Sequence, residues 1–153
     1  MKFGEIENGE MKLNHRGEVV QEEWFRSADI RREIRLYPEE FVVMPNHIHG
    51  IVWIVDDIST NVETGINVGA TGQSPLRANH PHGPAKKSLS SFIVGFKSCV
   101  TKRIRDELNE TGIWQRNYHD RIIRDQKELD AIRKYIETNP MNWMKDDENP
   151  MVQ

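Results

Sequence analysis

Leu89, Phe92, Ile93, Phe96, Val100, Ile104 and Leu108 recur at helical spacing over about five turns, with Lys97, Lys102, Arg103 and Arg105 off the stripe. A helix this one-sided has to lay its apolar face on something. Phe41 to Val55, dense in Val, Ile and Trp, supplies a counterpart, read as a central strand pair or one long strand broken near Pro45. A second stripe, Leu129, Ile132 and Ile136, follows Asp125, with Glu128 three residues on as a capping-box partner. It is expected to stop at Asn139-Pro140, because the residue before proline disfavours helix. These patterns predict an α/β chain of the α+β kind. An antiparallel sheet has the His47 strand central, and helices at 88 to 110 and 125 to 139 pack on it.

The opening reads as a hairpin, Phe3 to Glu7 and Glu10 to Leu13, around an Asn8-Gly9 pair suited to a tight type I′ turn. Gly17 to Ser27 reads as a short amphipathic helix, and Ile34 to Leu36 as an extended piece before Pro38. Ser88 or Ser90 is the expected N-cap of the long helix, and 113 to 118 a strand or ordered loop. Residues 57 to 87, rich in Gly, Pro, Asn, Thr and Ser, read as a long mobile loop. His80 and His82 within it are read as incidental. The chain is thus one domain, 1 to 145, with a fraying tail from 146 to 153.

The longest apolar stretch, Ile48 to Val55, ends at Asp56-Asp57, well short of the ~20 residues of a membrane helix. The N-terminus has no apolar run resembling a signal peptide, so a cytoplasmic address is expected. Cys99 is the only cysteine, which excludes an internal disulfide framework and a cysteine-based zinc site. The net charge of -3 hides an asymmetry: residues 86 to 134 carry 12 Lys and Arg against 7 Asp and Glu. A basic block in an acidic chain suits a phosphate-contacting face, because affinity follows local potential, although a solvated helix surface has the same composition.

Two sets of residues have the makings of chemistry. In Asn46-His47-Ile48-His49-Gly50, residues i and i+2 of a strand share a face, so His47 and His49 point together and can hold a metal from two sides. A pair of core-edge histidines bonded to backbone fits the same pattern. On the last helix, Tyr135 and Asn139 are i and i+4 neighbours at the edge of the buried stripe. From this helix alone they read as a boundary aromatic and a C-cap.

Taken in order, Met44-Pro45-Asn46-His47-Ile48-His49-Gly50, Trp114-Gln115-Arg116-Asn117-Tyr118, Ile122-Ile123-Arg124-Asp125 and Tyr135-Ile136-Glu137-Thr138-Asn139-Pro140 resemble the single-tyrosine HUH transposases, in the branch of REP-associated tyrosine transposases. The resemblance runs from about Phe3 to Trp143. It implies a ferredoxin-like architecture, His47 and His49 as the His-hydrophobic-His metal motif, Tyr135 as the nucleophile and Asn139 as a third metal contact. Mg²⁺ or Mn²⁺ would be the cofactor, with N plus O ligation leaning toward Mn²⁺. The implied substrate is single-stranded DNA beside a hairpin, cut to leave a 5′-phosphotyrosine and a free 3′-OH. The DNA would lie on Lys97, Lys102, Arg103, Arg105, Arg116, Arg121 and Arg124, stacked on Trp114 and Tyr118. A homodimer is a permitted assembly, and Tyr118 is the runner-up nucleophile.

Two departures from the pattern carry expectations of their own. Relatives commonly begin with a further strand before the segment matching Phe3 to Ile6, so the sheet is expected to be short by one strand. Many carry His at the position of Arg121. An inactive remnant that binds DNA without cutting it is therefore the main alternative. A His-x-His nucleotide hydrolase is a second, and it leaves Tyr135 and the basic helix unexplained.

Overall fold

A computed structural model describes residues 2–55, 84–85, 87–115, 117–146 and 149–150. The mobile loop expected at 57 to 87 lies almost wholly outside the described residues, as do His80, His82 and Arg116.

The chain has an α+β fold, with small antiparallel strand pairs and three α-helices among the described residues. The hairpin β1 (Gly4–Glu7) and β2 (Glu10–Leu13) turns at Asn8 and Gly9, both with positive φ (54° and 81°), as a type I′ turn requires. Asn14 then caps α1 (His15–Ile30), its side chain accepting from the Gly17 N–H. This helix is longer than the expected Gly17 to Ser27. The cap extends it upstream, and downstream it continues until the Arg31 N–H closes on the Ser27 carbonyl.

Among the described residues the strands form three short ladders rather than one continuous sheet. β3 (Ile34–Arg35) pairs with β6 (Trp53–Ile54), and β4 (Phe41–Val43) pairs with β5 (Ile48–Gly50). The bond from the Met44 N–H to the His47 carbonyl (2.9 Å) carries the β4–β5 ladder one pair further, to a tight turn at Pro45 and Asn46. His47 therefore stands at the mouth of a turn, not inside a central strand as expected. A proline without an N–H ends the regular ladder there.

This hairpin has two faces. Phe41, Val43 and Ile48 pack with α1 and with α2 (Leu89–Leu108) in the main core, where Trp24 stacks on Phe41 at 4.6 Å and meets Phe92 and Phe96 edge-on. Val42 faces the other way, onto Ile51 and the Leu129, Ile132 and Ile136 stripe of α3 (Gln126–Asn142). Val42 is the cross-strand partner of His49, so period-two alternation puts His49 on the side covered by α3. At Gly50 a Cβ would come within 2.5 Å of the Trp24 ring, so only glycine lets that ring close over the strand that bears His49.

Ser88 caps α2 through the Ser91 N–H, and Asn109 ends it in the left-handed conformation. Asp125 caps α3 through the Glu128 N–H, while the Glu128 carboxylate reaches the Arg124 N–H. α3 runs through Pro140 to Asn142, beyond the expected stop. So close to the helix end proline removes a single backbone bond, and the buried Asn139 and Trp143 hold the chain on both sides of it. Asn149, in the stretch expected to fray, is fully buried and donates to the Trp143 carbonyl at 3.0 Å.

Candidate active site

The His47 and His49 side chains converge. Their Nε2 atoms are 2.9 Å apart and their rings meet edge to face. Two ligands about 2.1 Å from one cation and at right angles to each other stand about 3.0 Å apart, so the observed spacing fits adjacent positions on one octahedral cation. The Nδ1 of His47 is bonded to the Asn46 side-chain oxygen at 2.7 Å, and its ring leans on buried Trp143.

Burial pushes the pKa of His49 down to about 4, the neighbouring His47 adds to the fall, and the Asp146 carboxylate opposes it. Near neutral pH His49 is therefore uncharged, which is the form that ligates a metal.

The third partner comes from 86 residues away: the Tyr135 hydroxyl lies 3.5 Å from His49 Nε2, with the two rings 5.1 Å apart. Tyr135 is 51% exposed, so its hydroxyl is open to a substrate while its ring rests on the imidazole. Asn139, expected beside it at the stripe edge, is instead 2% exposed, and its Nδ2 has no hydrogen-bond partner. Packing one turn beyond Tyr135, rather than a hydrogen bond from that nitrogen, holds the amide. Its side-chain oxygen is a hard donor of the kind that Mg²⁺ or Mn²⁺ takes. Among the described residues no group of three or more His, Cys, Asp or Glu side chains forms a metal cluster. A site here would rest on two histidines and an amide.

The clamp that sets α3 against the strands was not visible in the sequence. Glu40, fully buried, accepts from Arg133 Nε (2.9 Å) and Nη2 (2.5 Å) and from the Trp53 indole N–H (2.6 Å). Arg133 is two residues before Tyr135, so this ion pair fixes the helix that carries the hydroxyl. The only sequence signal was an acidic residue beside an apolar strand, which is ordinarily a surface position.

The residues expected to meet DNA, Arg116 apart, fall into two groups. Lys102, Arg105, Tyr118, Arg121 and Arg124 are exposed. Lys102 and Arg105, with Lys97, Ser98 and Thr101, line a shallow groove of about 390 Å³ on the outer side of α2. Arg121 pairs with Glu128, and the Tyr118 hydroxyl bonds Ser90 at 2.9 Å.

The other three are committed to the fold. Arg103 straps α2 to α1 through Glu22 (2.6 Å) and Glu23 (3.3 Å), and it also pairs with Glu107 (2.6 Å). The hydrogen bonds to Glu107 and Glu22 raise its already high pKa. Lys97, its pKa lowered by burial, donates to the Asn117 carbonyl and sits over the Trp114 and Tyr118 rings. Trp114 packs on Phe3 and Phe96 and donates its indole N–H to the Lys97 carbonyl, so it is a wall of the core rather than an open stacking platform.

The chain is 34% identical over 144 residues to an "Uncharacterized protein" of Haemophilus influenzae (strain ATCC 51907 / DSM 11121 / KW20 / Rd), covering 94% of this chain and 75% of that one. No family model matches the chain, and no solved structure matches it. No helix among the described residues is long and apolar enough to cross a membrane.

Proposed function

The chain belongs to the same family as that Haemophilus influenzae protein, and we propose that it is a metal-dependent DNA strand transferase of the HUH type, acting on single-stranded DNA beside a hairpin. One observation carries the reading. A tyrosine hydroxyl and a convergent pair of histidines, from segments 86 residues apart, meet within 3.5 Å on an open face.

A phosphodiester is anionic and inert, so cutting it requires a positioned nucleophile and neutralisation of the charge that develops at phosphorus. Tyr135 is the nucleophile. A bond forms from its Oη to phosphorus as the bond from phosphorus to the 3′ oxygen breaks. The phenolic proton leaves to water, and the departing 3′ oxygen takes one up. The products are a 5′-phosphotyrosyl protein and a free 3′-OH, and reversal reseals the strand without outside energy. His47, His49 and Asn139 would hold Mg²⁺ or Mn²⁺, which supplies charge neutralisation at the scissile phosphate. Asn46 and Trp143 orient His47, while Glu40 and Arg133 seat the tyrosine helix. Lys102, Arg105, Arg121 and Arg124 offer the exposed positive charge that a phosphate backbone needs.

The test is a denaturing gel of labelled hairpin-flanked single-stranded DNA with Mn²⁺. Wild type should give a cleaved strand and a protein–DNA adduct, while Tyr135→Phe, which removes only the hydroxyl, should bind DNA and give neither. An adduct that persists in Tyr135→Phe but vanishes in Tyr118→Phe would transfer the role to Tyr118. Hairpin binding by wild type with no cleavage would instead support an inactive DNA-binding remnant.

A further inference from the structure

We infer that a groove along the Tyr135 flank of α3 seats the unpaired nucleotides that run on from the scissile phosphate, with their phosphates on Arg124 and Lys127 and a base against Ile122 and Ile132. The inference rests on the strand-transferase reading above and adds a second site to it, one that holds substrate without reacting with it.

The segment 120 to 125 and the first two turns of α3 enclose a groove of about 820 Å³, within the size range of clefts that take small ligands. Its place on the helix follows from a turn of about 100° per residue. With Leu129 at zero, the buried Ile132 and Ile136 lie at about 300° and 340°, and Glu128, Ala131 and Tyr135 at about 260°, 200° and 240°. Arg133, held by the Glu40 carboxylate, is at about 40°, on the opposite flank. The helical wall of the groove therefore leads to the nucleophile one turn further on, and the clamp does not obstruct it.

That wall offers two kinds of surface. Ile122 is 76% exposed, and Ile132 beside the groove is half-buried, so covering them removes apolar surface from water. Two of the three carboxylates in the groove are spent inside it. The Asp125 side chain caps α3 through the Glu128 N–H, and the Glu128 carboxylate takes the Arg124 N–H and pairs with Arg121. Arg124 and Lys127 are exposed, and among the described residues neither side chain is in an ion pair. Asp120 is the one carboxylate set against these two cations. Cations beside an apolar patch match a phosphate with a base attached. The base has to be unpaired, because a base in a duplex turns to such a patch only by giving up its stacking and pairing.

The experiment is a fluorescence-anisotropy titration with a bare DNA hairpin, the same hairpin with an unpaired 5′ or 3′ flank, and the flanked hairpins with abasic flanks. Wild type should bind at least one intact flanked probe several-fold more tightly than the bare hairpin, and more tightly than its abasic counterpart. Arg124→Gln with Lys127→Gln should remove the gain from the flank and reduce the salt slope on the flanked probe by up to about 1.4, at about 0.7 per phosphate contact. Ile122→Ser should bind intact and abasic flanks alike. Thermal melts check that these exposed substitutions leave the fold intact. A double variant that keeps the whole gain overturns the inference, as does a wild type that gains nothing from either flank or treats intact and abasic flanks alike, even if the denaturing gel shows the adduct. The expected pattern with no adduct upholds the groove and sinks the transferase reading.

Discussion

Replacing Arg133 with Ala tests whether the buried ion pair seats the tyrosine helix. Glu40 is 0% exposed and takes two hydrogen bonds from Arg133 and one from Trp53. Without the guanidinium, a desolvated carboxylate keeps only the indole N–H. Breaking a buried pair from one side costs about 3–5 kcal/mol. The Arg133 side chain is itself 37% exposed, so water can enter the space it leaves, and the lower end, about 3 kcal/mol, applies. For a chain of this size that lowers Tm by roughly 6–12 °C. Urea unfolding at pH 7 should show the loss as a lower midpoint with unchanged slope. A loss below about 1 kcal/mol, the worth of a surface pair, would refute the reasoning.

His49 gives a second pH signature. Its pKa falls from 6.5 unfolded to about 4 folded, so the unfolded chain binds more protons in between. Stability from this group is full above pH 6.5 and is lost as the pH falls toward 4, by about 3 kcal/mol, and the loss should flatten in metal-free His49→Phe. On the basic face, changing Lys102 and Arg105 together to Ala should weaken single-stranded DNA binding and reduce the magnitude of its salt slope by up to about 1.4, at about 0.7 per phosphate contact. Arg103→Ala should instead lower the melting temperature and leave the slope alone, since Arg103 is occupied by Glu22, Glu23 and Glu107.

What was legible in the sequence was local. The Asn8-Gly9 turn, the caps at Ser88 and Asp125 and the stripes of α2 and α3 are each decided within a few residues by backbone preference and periodicity, and all of them hold. What depends on distant contacts was not legible. Whether Phe41 to Val55 forms one strand or several short ones is settled by how Pro45 turns and by the Ile51 N–H bonding the Glu40 carbonyl, not by the strand preference of Val and Ile. Trp114 was expected to be an exposed stacking aromatic, yet Phe3, more than a hundred residues earlier, packs against it. In the candidate site, spacing foretold that His47 and His49 share a face and set Tyr135 at the edge of the buried stripe, where it is half exposed. The full burial of Asn139, the Asn46 contact and the Glu40–Arg133 clamp depend on how α3 lies on the β4–β5 hairpin, and periodicity carries no record of that.

The most direct test of the central claim is to find the amino acid that becomes joined to DNA. Wild type is incubated with hairpin-flanked single-stranded DNA and Mn²⁺, the adduct is digested with nuclease and trypsin, and the modified peptide is sequenced by mass spectrometry. Cleavage after Lys134 and Lys145 isolates Tyr135 in a peptide spanning 135 to 145, whereas Tyr118 falls in 117 to 121. The account predicts a nucleotide on the phenolic oxygen of Tyr135. A nucleotide on Tyr118 or Tyr37, or DNA cut with no covalent adduct on any tyrosine, would contradict it.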